Sequence, residues 1–107
     1  GSYFANHFSP EDTSPQVVEF TKQYKAKYNA TPDATSGLTY DAGSLLIKAI
    51  EKAGSTEPDK VKDAMKSLSV DVVSGKVSFD EKRNPVKSAV MIKVEDGKQK
   101  FVKKVNP

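Results

Sequence analysis

The sequence predicts a mixed α/β chain, three helices followed by a strand and hairpin region, which would be α+β in character if it folds alone. Three observations predict it. Apolar residues recur at three- and four-residue steps between Val17 and Leu68, the spacing that puts them on one face of a helix. From Val70 onward the pattern changes to short β-branched runs separated by turn residues. Asp96-Gly97 stands between the last two runs, and that dipeptide supplies the positive φ angles of a two-residue hairpin turn.

Taken in order, Tyr3 to Phe8 is a short aromatic run that reads as a strand, and Ser9 to Thr13 is a polar, Pro-bearing connection. The first helix then has two possible starts. Ser14 can cap it with Pro15 at the first helical position, or Thr13 can cap it with Gln16 completing a capping box. Val17, Phe20, Tyr24 and Tyr28 form its apolar stripe, and Asn29 to Pro32 ends it. A second helix carries Leu38, Ala42, Leu45, Leu46, Ala49, Ile50 and Ala53. It stops at Gly54, where a left-handed residue closes a helix without a Cβ clash. The third begins at Thr56 with Pro58 and Asp59 in its first turn, and shows Val61, Ala64, Met65 and Leu68 on one face; acidic residues near its start suit the helix dipole. Strands follow over Val70–Val73, Lys76–Asp80, Ser88–Glu95 and Lys98–Val105, with Asp80 to Pro85 as a mixed-charge turn.

A chain of 107 residues is of ordinary single-domain size. Its hydrophobic share of 36% is low, so its core is expected to be thin unless something else completes it. The net charge of +3 comes from 17 basic and 14 acidic residues scattered along the chain, unlike the concentrated basic stripe that a nucleic-acid backbone requires. The densest basic run, Lys98, Lys100, Lys103 and Lys104, falls on a predicted strand and reads as edge protection. There is no cysteine, which excludes disulfides, thiolate metal sites and cysteine nucleophiles.

Nothing in the chain resembles a catalytic device. His7 is the single histidine and has no activated nucleophile or G-x-S-x-G elbow to join. Glu11 and Asp12 are too few, and wrongly spaced, for a calcium loop; they read instead as biasing the helix that follows. No metal site, cofactor motif or phosphate loop is present. The polar cluster Thr35, Ser36, Thr39, Tyr40 and Asp41 at the start of the second helix has more promise. An amino-acid pocket needs hydroxyls for the carboxylate, an acid for the ammonium and apolar walls for the side chain. The structural alternative is that Ser36 caps the helix, Thr39 faces water and Tyr40 packs on a sheet with its hydroxyl wet.

Four segments in order, HFSPED at His7 to Asp12, YKAKYNATPDATSGLTYDAGSLLIKAIEKAG at Tyr24 to Gly54, STEPDKVKDAM at Ser55 to Met65 and FDEKRNPVKSAV at Phe79 to Val90, carry a likeness across essentially the whole chain. Together they resemble the C-terminal third of the branched-chain amino-acid (Leu/Ile/Val) binding proteins, type I periplasmic solute-binding proteins of ABC importers. The resemblance implies a C-terminal fragment of that two-lobe α/β fold, residues 1–107 forming a single partial domain, with a sheet supplied from elsewhere for the helices to cover. It implies a non-enzymatic solute binder without a cofactor. Its partners would be an amino acid and an ABC permease in the full-length protein, at a periplasmic or extracellular location that is open to a lipid anchor. Ligand contact is expected at Thr35, Ser36 and Tyr40. Thr35 takes the position at which relatives that bind branched aliphatic ligands often carry an aromatic residue, so a different amino acid or another small solute is also compatible. The strand-like segments near Phe4 and from Phe79 to Met91 would lie close to the interlobe crossovers. Helices left without their sheet imply a homodimer, plausibly segment-swapped. A free-standing α+β interaction module is the alternative, and a small hydrolase a distant third.

Overall fold

A computed structural model of the chain describes all of residues 1–107. The elements run β1 (Tyr3–Asn6), α1 (Pro15–Tyr28), α2 (Ala34–Ala53), α3 (Pro58–Lys66), β2 (Ser69–Val72), β3 (Gly75–Phe79), β4 (Pro85–Val86), β5 (Ala89–Glu95) and β6 (Lys98–Val105). The strands form two separate three-stranded sheets, β1-β5-β6 and β2-β3-β4, antiparallel throughout. The parallel sheet that the resemblance implied as a partner for the helices is not among them.

Helix ends follow local chemistry. Ser14 is the N-cap residue of α1 and Pro15 its first residue, but the Ser14 side chain caps nothing; its hydroxyl donates to Asp12 at 2.6 Å instead. The Thr13 capping box is therefore not used. Asn29 closes α1 at φ 51° with its N–H bonded to the Lys25 carbonyl. Asp33 caps α2 by accepting the Ser36 N–H at 2.8 Å, and Gly54 ends the same helix at φ 63°. The third helix starts at Pro58 with Glu57 as its cap residue, later than the expected Thr56. Proline lacks the N–H that a first-turn residue leaves unpaired, so it sets the start.

β1 stops at Asn6, short of the expected Phe8, for two reasons. The Asn6 carboxamide oxygen accepts the His7 N–H at 2.8 Å, and Phe8 turns inward to 3% exposure. There its ring meets Phe20 edge-on at 6.0 Å. It also fills the space beside Gly37, where a Cβ would come within 3.0 Å of the ring. Asp96 and Gly97, at φ 51° and 73°, make the β5–β6 turn. The 80–84 turn is organised by Asp80, whose carboxylate accepts the N–H groups of Lys82 and Asn84 at 2.9 and 2.8 Å. Beyond it lies β4, two residues long and not foreseen from the sequence.

The core is in two parts. Leu45, Ala49, Val61, Leu68, Val72 and Val77 form one cluster, where α2 and α3 cover β2 and β3. Phe8, Val17, Phe20 and Val73 form the other, beneath α1. The sequence pattern assigned Leu46 to the buried face of α2, and this needs correction. Leu45 is 8% exposed and Leu46 is 48% exposed, because the buried stripe runs Gly37, Asp41, Leu45, Ala49 at strict four-residue steps. The radius of gyration is 15.4 Å, against about 13 Å for a compact chain of this length. The molecule is drawn out to 49 × 32 × 19 Å.

Candidate functional site

The loop between α1 and α2 is anchored by Pro32, whose side chain is fully buried, and this fixes where α2 begins. Ser36 and Asp33 then organise the helix entry. The Ser36 hydroxyl donates to the Asp33 carboxylate at 2.7 Å and lies 3.3 Å from the Tyr24 hydroxyl of α1. Hydrogen bonds from the Ser36 hydroxyl and N–H hold the Asp33 carboxyl below the usual carboxylate range. An acceptor that is both helix cap and charged group favours ionisation.

Above this entry lies an open groove of about 690 Å³ between α1 and α2. The aromatic stripe of α1 forms one wall, with the Tyr24 and Tyr28 rings 4.7 Å apart between centres and tilted by 51°. The Tyr40 ring lies 5.1 Å from that of Phe20, which joins the α1 and α2 walls. Thr35, Ser36 and Tyr40, the three residues expected at a ligand, all line this one groove. Thr35 is exposed, Ser36 half-buried and Tyr40 53% exposed. Thr39 lines the same groove.

Asp41 does not join them. It is 3% exposed, and its carboxylate accepts the N–H groups of Val73 and Ser74 at 2.8 and 3.1 Å. It binds the β2–β3 turn to α2 and is not free to receive an ammonium group. The acid that lines the groove is Asp33, which the sequence did not single out; its signal was the cap position before Ala34-Thr35-Ser36. Tyr24 was legible only as an apolar stripe residue, and its approach to Ser36 depends on how the two helices meet. Lys27, 5.5 Å over the Tyr28 ring, adds one cation at the rim. The groove sets hydroxyls, one carboxylate and one cation against aromatic walls. His7 is exposed at the end of β1 and does not line the groove. No helix is long and apolar enough to cross a membrane.

A family model described as periplasmic binding protein matches residues 1–99. Leu/Ile/Val-binding protein homolog 1 of Brucella suis is 33% identical over 103 residues, covering 91% of this chain and 28% of its own length. Among solved structures, the leucine binding protein LivK from Thermotoga maritima superposes with a TM-score of 0.85 at 35% identity. That match covers 100% of this chain and 31% of LivK. LivJ from Streptococcus pneumoniae, in complex with isoleucine, gives a TM-score of 0.83 at 33% identity over 98% of this chain and 30% of its own. The fold is thus that of this part of a periplasmic binding protein. The chain belongs to the periplasmic binding protein family, and it spans under a third of the length of these relatives.

Proposed function

We propose that the chain is the C-terminal portion of the extracytoplasmic solute-binding component of an ABC importer, a single partial domain of a two-lobe protein that takes up an amino acid. The observation that carries this reading is the superposition of the whole chain on part of a leucine binding protein and of a protein holding isoleucine. In this reading Thr35, Ser36 and Tyr40 face the solute from the entry of α2, and the partner in transport is an ABC permease. The hydroxyl of Thr35 offers a smaller and more polar wall than an aromatic ring, which leaves room and a hydrogen-bonding group for a different amino acid or another small solute. The rest of the pocket belongs to the remainder of the protein, because a two-lobe site draws its polar groups from both lobes.

Without that remainder the uncharged face of α2 is open: Leu46 is 48% and Ile47 59% exposed. We propose that the chain by itself pairs with a second copy through this face, with exchange of segments as the form that reuses contacts already encoded.

Two measurements test the main reading. The gene should continue upstream with further strand–helix units; an initiator methionine directly before this sequence overturns it. Calorimetric titration of the 107-residue chain with leucine, isoleucine, valine and polar amino acids should give no micromolar binding. A micromolar site on the monomer would refute the partial-pocket reading.

A further inference from the structure

The chain's excess of positive charge is unevenly placed. Residues 87–107 hold six lysines against two acidic residues, whereas the other 86 residues hold eleven basic and twelve acidic ones. The net charge of +3 therefore comes from the β5–β6 hairpin and its approach, and the helical part of the molecule is close to neutral.

Pairing register decides where those lysines point. Side chains alternate between the two faces of a strand, and directly opposed residues share a face. Lys93 stands opposite both Tyr3 and Lys100, Met91 opposite Ala5 and Lys103, and Glu95 opposite Lys98. Lys103 joins Lys98 and Lys100 on this face because a register shift between Met91 and Ile92 offsets the alternation of β6. One face of the β1-β5-β6 sheet thus carries Lys93, Lys98, Lys100 and Lys103 with a single acid, Glu95. The reverse face holds Val90 and Ile92, each 2% exposed. Lys104 belongs to that buried side, opposite Val90 and 2.7 Å from Asp12.

Such a face is costly as plain structure. Like charges directly opposite one another destabilise a sheet, and the compensation for Lys93 and Lys100 is loose. Glu95 lies 3.9 Å from the Lys93 ammonium and Glu11 3.7 Å from that of Lys100. Both pairs are open to solvent, so an outside anion replaces the carboxylates at little cost. Tyr3, 59% exposed, lies among them with its ring 5.8 Å from the Lys93 ammonium. Aromatic rings with a polar tip rest at the headgroup level of a bilayer, and lysines beside them reach its phosphates. A nucleic-acid duplex fits less well, because it is tracked by a long basic stripe or by an inserted helix, and this open three-stranded face has neither.

We propose that the outer face of the β1-β5-β6 sheet docks the chain on an anionic lipid surface, with Lys93, Lys98, Lys100 and Lys103 meeting the phosphates and Tyr3 resting among the headgroups. The choice of lipid over another polyanion rests on the reading of the chain as part of an importer's extracytoplasmic component, whereas the positive face does not. The solute has no part in the contact.

Co-sedimentation with vesicles tests it. The chain should partition onto equimolar phosphatidylglycerol and phosphatidylcholine and not onto phosphatidylcholine alone. It should be released as salt rises from about 0.1 M to about 1 M, which shortens the screening length from about 10 Å to about 3 Å. Lys98→Gln with Lys103→Gln should weaken the partition by more than about tenfold, at about fivefold for each lysine near the surface, and Lys98→Arg with Lys103→Arg should retain it, which separates charge from fold. Lys60→Gln with Lys62→Gln removes the same charge from α3 and should leave the partition unchanged. The chain has no tryptophan, so Tyr3→Trp supplies one emission that should shift to the blue on the mixed vesicles. Equal partition onto both vesicle types, equal loss from the two glutamine pairs, or an unshifted emission overturns the docking face. Salt-sensitive binding to heparin or duplex DNA without binding to the mixed vesicles overturns the lipid partner, an outcome distinct from the upstream-frame test of the importer reading.

Discussion

Asp41 shows how much a single side chain settles here. One buried carboxylate satisfies two N–H groups of the β2–β3 turn, donors that would otherwise be stranded beside apolar Val72 and Val73. Asparagine keeps one acceptor oxygen and brings an NH₂ group toward the second donor. Asp41→Asn should therefore cost about 1 to 3 kcal/mol in a urea unfolding curve. Asp12 makes a second prediction, of sign rather than size. Its folded carboxyl ionises below its unfolded value, so its contribution is complete above about pH 4 and is lost as pH falls through the lowered folded value. Stability measured across that acid window should drop less steeply for Asp12→Asn than for the unaltered chain. Both residues were visible in the sequence as acids near helices. Neither partner was, since Asp41 reaches turn residues Val73 and Ser74 and Asp12 reaches Lys104 across the fold.

At the scale of elements, α2 gives the sharpest contrast. Leu45 and Leu46 have the same composition and neighbouring positions, yet one faces the cluster with Ala49 and Val61 while the other faces solvent. Leu45→Ala should cost about 2 to 5 kcal/mol, and Leu46→Ala less than about 1 kcal/mol, in the same denaturation assay. Equal losses would place the stripe wrongly. The helix itself was legible from Leu38 to Gly54 because its period and its left-handed stop are local properties. Its inward direction was not. The uncharged arc of α2 is wider than the surface this chain offers to cover it, and a pattern of apolar residues does not say which part of the arc is covered. β4 escaped for another reason: Pro85–Val86 pairs only because the Asp80 turn folds it back onto Phe79 and Ser78.

For the whole molecule, shape and exposure lead to one expectation about assembly. A drawn-out chain with two small cores leaves Val18 55%, Leu46 48% and Ile47 59% exposed, surface that a second copy can cover. Light scattering across a dilution series should show a dimer that dissociates on dilution, and Ile47→Lys should shift the equilibrium toward monomer. A monomer that persists at high concentration would overturn the assembly. The edge of β6 is a poorer route to association, because Lys98, Lys100 and Lys103 are exposed along it and Glu11 already occupies the Phe101 N–H.

By itself the sequence determined the order and type of the long elements, the end of α1 at Asn29, the αL stop at Gly54, the Asp96-Gly97 hairpin and the gathering of Thr35, Ser36 and Tyr40 at one helix entry. Each depends on neighbours a few residues away, where spacing and backbone preference act directly. Only the tertiary structure decided that Asp41 serves a turn, that Asp33 and Tyr24 complete the groove, that Leu45 and not Leu46 is core, and that the strands split into two separate sheets. Those outcomes depend on groups far apart along the chain, Glu11 with Phe101 and Asp12 with Lys104 above all. Charge and hydrogen-bonding capacity can be read from one residue, but the partner that satisfies them is chosen by packing.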